Sequence, residues 1–125
     1  MKHILLVEPD ESVGNILSHY LSADKKWTVA VARNAQDAIH AADEKRPDLI
    51  ILELAIPMHN GFAFLHEFRS YSDWAENPVI VHSHLAKEEA RMSKSWKILG
   101  ASEYFYKPHT SLAKLKSSVN NALSS

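Results

Sequence analysis

The stretch Leu49-Ile50-Ile51-Leu52-Glu53 is apolar at four consecutive positions and then ends at an acid. Apolar character without alternation is typical of a strand buried on both faces, as in a parallel sheet. A second apolar run, Ile4–Val7, likewise stops at Glu8. Ligands of open parallel sheets bind outside the carboxyl ends of the strands, where the strand order reverses. Glu8 and Glu53 are therefore candidates for a common site.

Short apolar runs alternate with amphipathic stretches along the whole chain. Run length and β-branched content predict strands at Ile4–Val7, Trp27–Ala32, Leu49–Leu54, Val79–His82 and Tyr104–Tyr106. Helical spacing of apolar residues predicts helices that follow Asp10, Asn34, the turn at Asn60-Gly61, and Thr110, with a less regular helix over Lys87–Leu99. Asp10 is a predicted N-cap, and Asn34 with Asp37 resembles a capping box.

This alternation, repeated five times, predicts an α/β sandwich of three layers around a five-stranded parallel sheet. The 125 residues fit a single domain over 1–125, with no linker or repeat.

The composition excludes several classes of protein. A formal net charge of −1 gives no electrostatic footprint for nucleic acid. The absence of cysteine excludes disulfides, zinc thiolate sites and thiol catalysis. No apolar stretch approaches the roughly 20 residues that span a bilayer, and the N-terminus does not match a signal peptide, so we expect a cytoplasmic protein. The three glycines form no phosphate-binding loop.

Five anchors follow the predicted strands in a fixed order: Glu8, Glu53, Ser83, Tyr104 and the Lys107-Pro108 step. This ordered set, which spans nearly the whole chain, resembles the receiver domain of bacterial response regulators. The resemblance implies a doubly wound, flavodoxin-like sheet with strand order 2-1-3-4-5. It also implies a part in two-component (phosphorelay) signal transduction rather than enzymatic turnover.

The resemblance further assigns roles to individual residues. Glu53 takes the position of the aspartate that accepts a phosphoryl group from a histidine kinase. Ser83 and Lys107 take the hydroxyl and lysine positions of the phosphate cage, and Tyr104 that of the aromatic residue that moves on activation. The acidic pocket comprises Glu8 and Asp10, and the backbone carbonyl of Ala55 is the remaining metal ligand if any metal binds.

Three departures put the family's usual chemistry in doubt. Glutamate at position 53 reaches about 1.5 Å further than aspartate, whereas in-line attack tolerates only small misplacement. Pro9 replaces an acid that would hold Mg²⁺, and proline offers neither a carboxylate nor an N–H. The segment from Ser83 to Gly100 is also longer than the family's usual spacing. We therefore expect no resident cofactor and at most weak Mg²⁺ binding.

The sequence leaves several interpretations open. Glu53 either mimics a phosphoaspartate or is a remnant, and in both cases the domain would act by binding a protein partner, either a histidine kinase or a downstream effector. The alternatives are a working phosphoacceptor domain and a small-ligand module that uses the crevice between the first and third strands. The oligomeric state is open as well.

Other residues carry weaker signals. Eight histidines are present, and His82 and His84 with His59 could form a metal site, although exposed histidines are the commoner case. Trp74 and Trp96 could mark partner surfaces, although aromatic packing is the commoner role. The resemblance implies a cis peptide bond before Pro108.

Overall fold

The computed structural model describes residues 1–57, 59–86 and 100–124. Their strands are β1 (Lys2–Val7), β2 (Trp27–Ala32), β3 (Leu49–Leu52), β4 (Ala55–Ile56), β5 (His59–Asn60), β6 (Val79–Ser83) and β7 (Ala101–Tyr106). Their α-helices are α1 (Glu11–Ser22), α2 (Ala35–Glu44), α3 (Gly61–Ser70) and α4 (Leu112–Leu123). Short 3₁₀ turns cover Ser72–Trp74 and Lys107–His109. Among these described helices, none has the length and apolar character needed to cross a membrane.

The main sheet has the order β2-β1-β3-β6-β7, and every neighbouring pair is parallel. When only the five strands of this sheet are numbered, β6 and β7 become the fourth and fifth, and the order is 2-1-3-4-5. The predicted fold class is therefore confirmed. The residues after β3 form a separate antiparallel pair, β4 with β5, that leads into α3.

The central strands are buried on both faces because their side chains alternate between two apolar layers. Leu5, Ile50 and Val81 belong to the layer that packs against α2 and α3. Ile4 and Ile51 belong to the opposite layer, which packs against α1 and α4. The predicted three-layer sandwich is therefore confirmed.

Side-chain caps fix where the helices begin. Asp10 accepts a hydrogen bond from the Val13 N–H (3.0 Å), and Asn34 accepts one from the Asp37 N–H (2.8 Å), as predicted. In a capping box the Asp37 carboxylate would accept a hydrogen bond from the Asn34 backbone N–H. Here it accepts one from the Asn34 side-chain amide instead.

The last helix begins one residue later than Thr110 suggests. The Thr110 hydroxyl donates to the Tyr106 carbonyl (2.7 Å), which leaves Ser111 to cap the helix.

Several expectations were wrong in detail or fall outside the described residues. The third strand ends at Leu52 rather than Leu54, and the last strand begins at Ala101 rather than Tyr104. No described peptide bond is cis, so the bond before Pro108 is trans, as most X-Pro bonds are. The helix expected over Lys87–Leu99 lies outside the described residues; these outlying residues include Trp96 and most of the long segment before Gly100.

Trp74 belongs to the apolar layer beneath α3. Its ring stacks on Phe68 with centroids 4.8 Å apart, and the residue is 6% exposed. It therefore contributes to packing rather than to an open partner surface.

Gly61 ties the loop after β3 to the start of α3. Its N–H donates to the Leu54 carbonyl (2.6 Å), and a Cβ at this position would lie 2.6 Å from the Leu54 Cα. A side chain cannot fit there unless the backbone that follows Glu53 moves.

We predict that Gly61→Ala lowers the free energy of unfolding by about 1–3 kcal/mol, the usual cost of forced overpacking. Urea denaturation measures this. Gly14→Ala is the matched control: its Cβ would lie 3.3 Å from the Val31 Cγ1 and 3.8 Å from the Glu8 Cγ, with no backbone atom among these contacts, and alanine favours a helix interior by up to ~1 kcal/mol. Equal stability of Gly61→Ala and the parent protein would contradict the account of this loop.

Candidate functional site

Two buried carboxylates lie at the carboxyl edge of the sheet. Glu8 follows β1 and Glu53 follows β3, and each residue is 1% exposed. The backbone N–H of Glu8 donates to the Ala32 carbonyl (2.8 Å), and that of Glu53 donates to the Val7 carbonyl (3.0 Å). These bonds extend the ladder of the sheet by one step and hold both acids at the switch between the first and third strands, where a parallel sheet places its ligands.

The ammonium group of Lys107 bridges the two acids. Lys107 follows β7, and its Nζ lies 2.6 Å from the Glu8 Oε1 and 2.6 Å from the Glu53 Oε1. The lysine side chain is 16% exposed. The structure thus brings together three residues from three separate parts of the chain, and the cluster carries a formal charge of −1.

Both oxygens of Glu53 are heavily engaged. Oε1 accepts hydrogen bonds from the Lys107 Nζ (2.6 Å) and from the backbone N–H of His84 (3.1 Å). Oε2 accepts from the Ser83 hydroxyl and from the backbone N–H of Ala55 (3.1 Å). The carboxylate is therefore surrounded by donors, and these compensate for its removal from water.

The surroundings of Glu53 favour its ionised form. Burial alone would raise the pKa of this carboxyl, but the hydrogen bonds from Lys107, Ser83 and Ala55, with the charge of Lys107, outweigh burial and lower the pKa from 4.5 to about 2. The side chain is thus a fixed anion held in place by its neighbours.

Sequence reasoning missed the part that His84 plays. Its Nδ1 lies 2.9 Å from the Glu53 Oε1, while 60% of its side chain is exposed. When protonated, the imidazole adds a second positive charge beside Glu53. The available signal was its place directly after Ser83, since the residue next to a cage hydroxyl also offers its backbone N–H to the same anion.

A chain of hydrogen bonds leads from Glu53 to the last strand. The Ser83 hydroxyl donates to Glu53 and accepts from the backbone N–H of Leu85 (3.1 Å). The carbonyl of Leu85 accepts from the hydroxyl of Tyr104 (2.7 Å). Ser83 and Tyr104 are therefore linked through a single residue, Leu85.

Two other predicted site residues make different contacts from those expected. The carboxylate of Asp10 is exposed and caps α1, and only the backbone N–H of Asp10 reaches the site, where it donates to the Glu8 Oε2 (3.2 Å). The prediction that the Asp10 side chain belongs to the acidic pocket is thus wrong, because this carboxylate instead accepts a hydrogen bond from the Val13 N–H. Ala55 contacts the site through its N–H, not through its carbonyl.

This donor set does not fit Mg²⁺ well. Mg²⁺ requires near-octahedral oxygen ligands and is usually held by one or two carboxylates plus substrate phosphates. In this site the Lys107 ammonium lies between the Glu8 and Glu53 carboxylates, and Pro9 supplies no ligand.

The suggested histidine metal site is not supported. His82 is 5% exposed and its Nδ1 has no hydrogen-bond partner within the described part of the chain, while His84 turns to Glu53. Among the described residues, no group of three His, Asp or Glu side chains is placed to hold a metal ion. The side chain of His59 lies outside the description.

Comparison with known proteins defines the class. A family model described as "Response regulator receiver domain" matches residues 4–120, and the chain therefore belongs to this family, whose members act in two-component signalling. The structure agrees with this assignment. Chemotaxis protein CheY4 of Vibrio cholerae is 25% identical with a TM-score of 0.86, over 98% of this chain and 99% of that one. The HemR receiver domain of Leptospira biflexa is 28% identical with a TM-score of 0.84, over 100% and 96%.

Curated relatives are longer proteins. Transcriptional regulatory protein MalR of Bacillus subtilis is 35% identical over 86% of this chain and 45% of its own length. A protein-glutamate methylesterase/protein-glutamine glutaminase of Treponema denticola is 29% identical over 97% of this chain and 32% of its own length. The chain thus spans less than half of either relative.

Acid should destabilise the protein in two steps. Burial and the charge of Lys107 lower the pKa of His82 from 6.5 to about 4, so the unfolded chain binds a proton before the native one does. This contribution to stability is full above pH 6.5 and is lost as the pH falls to 4. The contribution of Glu53 is full above pH 4.5 and is lost as the pH falls through about 2. Each step is worth about 3 kcal/mol.

The prediction for the first step is that His82→Leu flattens the fall in unfolding free energy between pH 6.5 and 4. Urea denaturation across this range measures it. Part of the slope remains, because burial also lowers the pKa of His3. His66→Gln, at an exposed position on α3, is the control and keeps the full slope. An unchanged slope in His82→Leu would show that this histidine is not the group that titrates.

Proposed function

We propose that this receiver domain signals without a phosphorylation cycle, and that the Glu53 carboxylate takes the place of a phosphoryl group. The observation that carries the proposal is that one carboxylate is contacted by both the Ser83 hydroxyl and the Lys107 ammonium. These are the two groups that the receiver resemblance assigns to the phosphate cage. The extra carbon–carbon bond of glutamate, about 1.5 Å, supplies the reach.

The mimicry is partial in charge. A phosphorylated side chain carries about −1.5 to −2, whereas a carboxylate carries −1. Glu8 supplies a second negative charge on the same ammonium, at 2.6 Å. Together the two carboxylates place a negative charge beside the Lys107 ammonium that is similar to the charge of a phosphorylated aspartate.

The same contacts weigh against phosphoryl transfer to Glu53. A nucleophile needs a free lone pair aligned with the incoming phosphorus atom. Here both carboxylate oxygens accept hydrogen bonds, and the lowered pKa marks a weakly basic, stabilised anion. Pro9 removes a metal ligand that would neutralise the transferred group.

The output would be a protein–protein contact on the side of β7. The path through Ser83, Leu85 and Tyr104 connects the state of Glu53 to this strand. A fixed carboxylate biases such a path only if it interacts better with one conformation than with the other. The proposed partner is a histidine kinase or a downstream effector that recognises the conformation with Tyr104 bonded to Leu85.

This proposal assigns binding rather than catalysis to the chain. The esterase and glutaminase activities named for the Treponema denticola relative are not carried over, because this chain spans 32% of that protein. A working phosphoacceptor domain is the competing interpretation, and a phosphodonor distinguishes the two.

We predict that acetyl phosphate with Mg²⁺ leaves the protein unmodified, as judged by intact mass. The Glu53 carboxylate is displaced by one methylene from the position of the usual aspartate, and Pro9 replaces an acid that would bind the metal ion. A stoichiometric phosphoryl adduct that maps to Glu53 would contradict the proposal.

The double variant Pro9→Asp with Glu53→Asp is the positive comparison. It should acquire some phosphate, and each single variant should acquire less, because the two repairs act on the metal and the nucleophile of one transition state and are not additive. An unlabelled double variant would show that the scaffold, rather than these two residues, blocks the reaction.

A further inference from the structure

A groove with a volume of about 940 Å³ lies between α2 and the end of α3. Sites for ligands typically enclose about 300–1,000 Å³. Apolar surface comes from Ile39 and Pro57, and Tyr71, which also lines the groove, is 44% exposed. Glu8, Glu53 and Lys107 do not line the groove.

The groove concentrates negative charge. Four carboxylates line it, namely Asp37, Asp43, Glu67 and Asp73, against the single guanidinium of Arg33. With His40 neutral, these side chains carry a formal −3, whereas the whole chain carries −1. The charge of the groove therefore exceeds that of the entire protein.

Three of the four carboxylates that line the groove are not ion-paired in the part of the chain that the structure describes. Within residues 1–57, 59–86 and 100–124, the carboxylates of Asp43, Glu67 and Asp73 make no ion pair. Three cationic or basic side chains lie at or next to the groove: Arg33 contacts Glu11 (3.4 Å), His40 contacts Glu44 (3.1 Å), and the Arg46 guanidinium donates to the backbone carbonyl of Asp73 (2.6 Å). Three carboxylates of the groove are therefore available to pair with a positively charged occupant.

We propose that this groove binds an extended, basic segment of a protein partner in which lysine or arginine alternates with apolar residues. Lysine and arginine bring a charged head for the carboxylates and an apolar stem for the floor. The exposed ring of Tyr71 adds a cation–π partner. Apolar residues between the cations cover Ile39 and Pro57, a contact that a simple polyamine does not make.

The dimensions agree with this occupant. The ten residues of α2 extend for about 15 Å, which equals four or five extended residues at about 3.3 Å each. Asp43 belongs to α2 and Glu67 to α3, so two different helices each contribute a carboxylate to the lining of the groove. The proposal is independent of how Glu53 acts.

The test is fluorescence anisotropy with a labelled Lys-Leu-Arg-Leu-Lys peptide and the full chain. Saturable binding should weaken roughly five- to tenfold in the pair Asp43→Asn with Glu67→Gln, because each exposed ion pair contributes modestly. The pair Asp24→Asn with Glu103→Gln removes the same two carboxylate types outside the groove and should change affinity less than twofold. Tyr71→Leu keeps an apolar side chain and should weaken binding two- to fivefold through the lost cation–π contact.

All substituted positions are exposed, and thermal unfolding confirms that each variant is folded. Peptide-induced amide shifts at residues 35–43 and 67–74 would support the groove as the site. Equal weakening by the two pairs would overturn the proposal in favour of non-specific attraction. Full displacement by spermidine at an equal concentration would overturn it in favour of a small polycation, and no binding at millimolar peptide would overturn it outright.

Discussion

The structure depends on the burial of one ionised carboxylate. Glu53 is 1% exposed, and its pKa is lowered to about 2, so its charge persists inside the protein. A buried charge without partners is very unfavourable, and removal of one partner from a buried ion pair typically costs about 3–5 kcal/mol. Lys107, Ser83 and two backbone N–H groups supply the compensation. Because these donors come from the ends of β6 and β7 and from the loop after β3, one side chain holds three strand ends in register.

Under the proposed function, this arrangement keeps the signalling geometry of a receiver domain without the transfer of a phosphoryl group. The cage hydroxyl and the cage lysine both contact an anion, as the proposed function requires, and that anion is part of the chain. The Ser83 hydroxyl accepts a hydrogen bond from the Leu85 N–H, and the Leu85 carbonyl accepts one from the Tyr104 hydroxyl. Glu8, Glu53, Ser83, Leu85, Tyr104 and Lys107 do not line the groove between α2 and α3.

The fold was predictable because its signals are local. The run Trp27–Ala32 became a strand with the predicted ends, and Asp10 and Asn34 each cap the predicted helix. The third strand was predicted too long because hydrophobicity does not distinguish a strand residue from Leu54, which packs from a loop against Gly61.

The site was predictable only in part. Strand order brought Glu8, Glu53, Ser83 and Lys107 to one edge, as the resemblance implied. The role of His84 depends on how the chain turns after Ser83, and its place next to Ser83 was the one signal of that role in the sequence. Asp10 illustrates a competition that sequence cannot resolve, because the same carboxylate was a candidate for the pocket and for the cap. The charge of the groove is likewise hidden in the sequence, where its acids lie on separate segments from Asp37 to Asp73.

The most direct test of the account is a ¹³C NMR titration of the Glu53 side-chain carboxyl in the intact protein. If Lys107 and Ser83 hold the carboxylate as described, its resonance shows no protonation step at pH 4.5 and the carboxyl titrates near 2. Lys107→Met should move the midpoint upwards, since the bridging charge is lost while the apolar stem is kept. A midpoint at or above 4.5 in the unmodified protein would contradict the central claim that Glu53 is a fixed anion bound by the phosphate cage.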